Sequence, residues 1–150
     1  MSAEEEIIER AVSMFREGYL CSESILKTFA EAHGMACEHI PKIATGFGGG
    51  MGRRGLVCGA ITGAVMALSL KYGRKTLGEM ENYEKCMAKV QQLLKSFEEN
   101  FGSTLCRELT NCDLTTAEGR QKFKVEQIRE KKCARYVAEA MRILLNLTRE

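Results

Sequence analysis

Residues 55–70, GLVCGAITGAVMALSL, run for sixteen positions without a charged side chain. Coiled into a helix, such a segment is apolar nearly all round, and a helix of that kind belongs at the centre of a bundle. It falls short of the ~18–20 apolar residues that cross a bilayer. The expectation is a buried central helix over about 55–72, ended by Gly73, and no membrane insertion.

The flanking sequence reads as further helices. Pro41 is the single proline, and no segment alternates as a half-buried strand would. Ser2 and Glu5 have capping-box spacing, and Ile7, Ile8, Ala11, Val12 and Phe15 follow on one face up to Gly18. Ile25, Leu26 and Phe29 give a second helix over about 22–33, closed by Gly34. A short helix follows Pro41. Thr76 and Glu79 form a second box ahead of Met80, Tyr83, Met87, Val90, Leu94, Phe97 and Phe101, a heptad-like seam. On a chain this short the seam packs inside the bundle, with a homodimer seam as the alternative. Ser103 caps a short helix, and Thr115 with Glu118 opens another. The final stripe, Val137, Ala140, Met141, Leu144 and Leu145, is out of phase with Phe123 and Ile128, which predicts a break near 128–132. The fold class is therefore all-α: one domain over 1–150, a bundle of six or seven helices.

Charge narrows the function classes. The net charge is +2, aromatics are 7%, and basic residues are interspersed with acidic ones. A nucleic-acid interface would want a basic stripe with aromatics, so no nucleic-acid partner is expected. The acidic start, MSAEEEIIER, lacks the apolar core of a signal peptide, and the reading is a soluble cytoplasmic protein. Seven cysteines without a secretion signal argue against a disulfide framework and for metal or redox chemistry. No C-x-x-C occurs, which removes zinc-ribbon and thioredoxin-like patterns. His33 and His39 lack clear acidic partners, so a cysteine–histidine hydrolase has little support.

Gly46–Ala64 holds eight glycines in nineteen residues. GMGRRG, residues 50–55, matches G-x-G-x-x-G in form only, since no strand precedes it and no βαβ pattern occurs. Packing accounts for part of the stretch. Gly59, Gly63 and Ala67 share one helix face, and residues so small let a neighbouring helix come close; glycine inside a helix costs about 1 kcal/mol without such a reason. The remainder is a mount for Cys58. With Gly55 as cap, Cys58 would sit in the first helical turn, where the dipole, free N–H groups, Arg53 and Arg54 favour a thiolate. Cys106 behind Ser103, Cys21 ahead of Ser22, and Cys133 after the inferred break repeat that setting. Four low-pKa thiolates are expected, converging beside the glycine loop, with Cys37, Cys86 and Cys112 elsewhere.

CSESIL, GFGGGMGRRGLVCGAITGAVMALSLKYG, CRELTN and CARYV, in this order, resemble the redox-active protein family named for its C…CGAxxG…C…C pattern. The resemblance maps the four family cysteines onto Cys21, Cys58, Cys106 and Cys133, with Cys58, Gly59, Ala60 and Gly63 as the core motif. A similar domain occurs in split-Soret cytochromes in association with an iron–sulfur cluster. The resemblance thus implies a four-cysteine site for an iron–sulfur cluster of [2Fe–2S] type serving an unidentified redox partner. Gly48, Gly49, Gly50, Arg53, Arg54 and Gly59 would shape the pocket. By ligand softness alone zinc fits four thiolates as well. Metal-free dithiol–disulfide exchange and a non-catalytic module with structural zinc stay open.

Overall fold

The computed structural model describes residues 1–149. Seven α-helices follow in order: α1 (Ala3–Glu17), α2 (Cys21–Ala32), α3 (Gly59–Tyr72), α4 (Met80–Phe101), α5 (Cys106–Thr110), α6 (Ala117–Val125) and α7 (Ala134–Thr148). A 3₁₀ helix, Lys42–Phe47, follows α2, and a π-helical turn, Arg129–Cys133, leads into α7. No strand occurs among the described residues, only one antiparallel bridge between Val57 and Leu105. The all-α, single-domain reading holds, and no described helix is long and apolar enough to cross a membrane.

α3 is the central helix. It packs against α2, α4 and α7, and it buries residues on every side, from Gly59, Ala60 and Ile61 to Leu68 and Tyr72. Its closest neighbour is α2. A methyl built on Gly63 would lie 2.7 Å from the Ser22 carbonyl oxygen, and one on Gly59 would overlap Cys21 Sγ. The two glycines are what lets α2 cross at that depth. Along the crossing, Ser22 is fully buried and donates from Oγ to the Ala44 carbonyl at 2.8 Å, so the close approach leaves no orphaned hydroxyl.

Several local expectations shift. α1 begins as expected, with Ser2 Oγ accepting from the Glu5 N–H at 3.1 Å. α3 begins at Gly59, four residues later than the sequence suggests, because residues 55–58 pair with 104–107 instead of coiling. Thr76 does not cap α4, which starts at Met80; the Glu79 carboxylate gathers the Lys75 and Thr76 N–H groups ahead of it. Leu105 rather than Ser103 precedes α5, and Thr116 rather than Thr115 caps α6, accepting from the Gly119 N–H at 2.9 Å. The seam on α4 holds in its second half, where Val90, Leu94, Phe97 and Phe101 pack on the core, while Met80 and Met87 are exposed and Cys86 and Leu93 are buried beside it.

Candidate functional site

The glycine stretch forms a left-handed turn. Five consecutive residues have positive φ: Gly49 (65°), Gly50 (72°), Met51 (70°), Gly52 (56°) and Arg53 (66°), and Gly55 (75°) adds a sixth. L-residues pay roughly 1–2 kcal/mol each in this region, glycine almost nothing, which is why the segment is so rich in glycine. The turn also lies flush against its surroundings. A methyl on Gly50 would sit 2.7 Å from Cys106 Cβ, and one on Gly48 would sit 2.6 Å from a Leu20 methyl.

Beyond the turn, residues 55–58 are stitched to the start of α5. The Cys58 N–H donates to the Thr104 carbonyl at 2.9 Å, the Cys106 N–H to Leu56 at 2.7 Å, and the Arg107 N–H to Gly55 at 3.1 Å. This pairing brings Cys58 and Cys106 to neighbouring positions although 47 residues separate them. On the other side, the α2–α3 crossing at Gly59 lays Cys21 against the first turn of α3. The π-helical turn ahead of α7 supplies Cys133.

Cys21, Cys58, Cys106 and Cys133 consequently line one cavity of about 550 Å³, together with Gly48, Gly49, Arg53 and Gly59. Cys58 and Cys106 are buried, and Cys21 and Cys133 are partly so. Gly50 and Arg54, expected in the pocket, are not among its lining residues: Gly50 supports it from beneath Cys106, and Arg54 is exposed. Cys37 is exposed in a connection, and Cys86 is buried on α4 with its sulfur 3.8 Å from Ser69 Oγ. Cys112 departs from expectation. It does not line the cavity, yet it is buried in a small cluster with Cys106, Leu114 and Ile128, against which Cys133 packs. Among the described residues no three His, Cys, Asp or Glu side chains converge tightly enough to hold a single metal ion.

Two of the four thiols, Cys21 and Cys106, keep the first-turn setting the sequence suggests, and two do not. Cys58 directly precedes α3, while Cys21 and Cys106 are the first residues of α2 and α5. Cys133 is not at a helix start at all: its φ of −62° and ψ of −36° continue the π-helical turn into α7. Nor are the thiols acidic. Burial pushes Cys106 up to about 11, aided by the neighbouring Cys21. Burial, then Cys21, raises Cys58 well above the ordinary thiol range, and burial with Cys21 and Cys106 raises Cys133. Cys21 is raised by burial as well, against the pull of the Ser22 and Gly49 N–H groups and of Arg129. Desolvation outweighs the helix dipole here. Without a counter-charge the four thiols stay protonated at neutral pH.

Sequence reasoning missed two members of the site. Arg129 lines the cavity, donates from a guanidinium nitrogen to the Tyr19 carbonyl at 2.7 Å, and stacks 3.7 Å from the centroid of the Phe15 ring. Its charge favours the thiolates of Cys21 and Cys133. Tyr136 also lines the cavity and donates from its hydroxyl to the Leu109 carbonyl at 2.8 Å, fixing α5 and hence Cys106. The signal was present in the spacing: both lie one helical turn from Cys133, four residues before and three after it.

Over residues 19–147 the chain matches the family described as "Putative redox-active protein (C_GCAxxG_C_C)". A protein of Archaeoglobus fulgidus, described as an uncharacterized protein, is 30% identical across 97% of this chain and 95% of its own length. No solved structure matches.

Proposed function

Because the chain belongs to the C_GCAxxG_C_C redox-active family, we propose that Cys21, Cys58, Cys106 and Cys133 together hold an iron–sulfur cluster and that the protein transfers electrons. The observation that carries this reading is the gathering of four thiols, from four separate segments of the chain, around one cavity of about 550 Å³. That volume is many times the ~30 Å³ share of a single water, so there is room for an inorganic cluster.

The donor set fits the group. Four thiolates are the usual ligands of two-iron and four-iron clusters. The raised thiol pKa values support the same reading, since buried sulfurs that resist ionisation need a cationic partner before they become thiolates. The Ser22 and Gly49 N–H groups and the Arg129 guanidinium are placed to offset negative charge on sulfur. Bound there, a cluster would supply one-electron redox chemistry, and hydrogen bonds and charge around its sulfurs would set its potential. Phe15, Leu20 and Tyr136 line the cavity and give the thiols a largely apolar wall.

The test is purification without oxygen, followed by an absorption spectrum and assays of iron, acid-labile sulfide and zinc. Brown protein with matched iron and sulfide supports the cluster. Colourless protein with stoichiometric zinc replaces it with a structural metal site, and colourless, metal-free protein with titratable dithiols replaces it with exchange chemistry.

A further inference from the structure

Three arginines, Arg53, Arg120 and Arg129, line the cysteine cavity, and no carboxylate is among its described lining residues. Of the eight arginines elsewhere, Arg10, Arg16, Arg107, Arg142 and Arg149 are ion-paired with a glutamate or aspartate, Arg74 and Arg135 lie over aromatic rings, and Arg54 is exposed. The cavity arginines are not ion-paired with any described residue, and most of their donors are unused. A guanidinium carries five N–H donors; Arg129 spends one on Tyr19, Arg120 one on Leu114, and the Arg53 guanidinium makes no hydrogen bond to a described residue. The solvent side of the cavity therefore presents three cations with spare donors, over a buried side that holds the thiols.

Arg53 adds an independent observation. It is a non-glycine residue at φ 66° inside a glycine turn, and its backbone packs where a methyl on Gly49 would fall, 2.9 Å from Arg53 Cα. Glycine would relieve roughly 1–2 kcal/mol there. Met51 has the same strained backbone without lining the cavity; what sets Arg53 apart is an exposed side chain that lines it. Between the arginines the walls are apolar: Phe15 under Arg129, with Leu114 and Phe123 beside Arg120.

We infer that this cavity binds a small organic anion, a carboxylate or similar oxyanion on an apolar body, with its charge held by Arg53, Arg120 and Arg129 and its body against Leu114 and Phe123. The fork of a guanidinium matches the two oxygens of a carboxylate. Bound this way, the anion closes the mouth and lies beside the thiols. The inference does not depend on which metal, if any, the thiols hold.

Benzoate and its neutral counterpart benzamide are the probes, titrated calorimetrically into the protein as purified, with iron and zinc assayed on the same batch. A colourless batch counts against the cluster and leaves the anion titration readable. Benzoate is expected to bind one to one, about tenfold more tightly than benzamide, and to weaken as salt rises. Arg53→Gln is the decisive variant, since that side chain is exposed and holds nothing else in place; it should weaken benzoate about fivefold or more and leave benzamide unchanged. Arg129→Gln should act in the same direction, although its bond to Tyr19 makes it the riskier variant to fold. Arg10→Gln, which breaks an ion pair with Glu31 outside the cavity, should bind benzoate as the parent does. Equal affinity for the two probes, binding of neither, an equal loss in Arg10→Gln, or an Arg53→Gln protein that binds benzoate like the parent overturns the inference.

Discussion

Gly59 and Cys21 share a space that only one Cβ can occupy: a methyl built on Gly59 would overlap Cys21 Sγ. The glycine beside Cys58 is thus the recess in which the sulfur of another helix sits. Gly59→Ala would gain up to about 1 kcal/mol of helix propensity, but it must push Cys21 or the whole of α2 aside. Overpacking of this kind costs about 1–3 kcal/mol. The expected result is net destabilisation in urea titration together with, on the proposed cluster assignment, loss of iron from the thiols. Gly63→Ala, which would bring a methyl to 2.7 Å from the Ser22 carbonyl oxygen, should destabilise by a similar amount. Unchanged unfolding midpoints for both would show that the α2–α3 crossing is looser than described.

A contrast between two buried cysteines separates site from core. Cys58 lines the cavity, whereas Cys86 packs on α4 beside Ser69. Cys58→Ser should abolish retention of iron. Cys86→Ala should retain it at the parent ratio and cost about 1 kcal/mol of stability, as expected for the loss of a small buried group. The assignment fails if iron content falls equally in both variants.

Much of the bundle was legible because it is written locally. The Ser2 cap, the glycine stops and the charge-free run each act within one or two turns; α1 and α2 appear where those signals put them, and α3 ends where Gly73 puts it. The small-residue face of α3 was legible for the same reason, since Gly59 and Gly63 have few other uses inside a helix. What local signals could not carry was pairing over distance. The start of α3 moves from Gly55 to Gly59 because Gly55, Leu56 and Cys58 spend their backbone groups on residues 104–107. On α4 the large apolar side chains suggested a seam through Met87, whereas the small thiol of Cys86 is the one that fits beside Ser69. The four cysteines were visible as a set, but their ionisation was not. Helix starts favour thiolates, and only the packed structure reveals the desolvation that reverses the balance.

That reversal has a pH consequence in metal-free protein. A thiol raised to about 11 in the folded state binds its proton more tightly than in the unfolded chain, where the ordinary value is 9.0. Cys106 therefore contributes stability that is fully present below about pH 9 and lost as pH rises toward 11, and the rises at Cys58 and Cys133 have the same sign. Stability measured by urea titration should fall between these values, and Cys106→Ala should flatten the fall. At pH 7.5 iodoacetamide should modify exposed Cys37 first, with the cavity thiols following slowly, as read by mass spectrometry of the peptides. Rapid modification of Cys58 ahead of Cys37 would show an accessible thiolate that burial does not allow.

Tyr136 tests whether α5 is held in place for the sake of Cys106. Its hydroxyl is the donor to the Leu109 carbonyl, three residues beyond Cys106 on a helix of only five residues. Tyr136→Phe keeps the ring and its edge-on contact with Phe101 at 4.9 Å, and removes only the bond. A buried carbonyl left without its donor costs about 1–3 kcal/mol. So short a helix has little stability of its own to absorb that loss, and its first residue should lose its fixed position. The variant is expected to fold, to unfold at lower urea than the parent, and to release iron faster to a chelator. A variant with lowered stability but parental release kinetics would show that Cys106 is positioned by the Leu56 and Thr104 backbone bonds alone, and that Tyr136 serves the core and not the site.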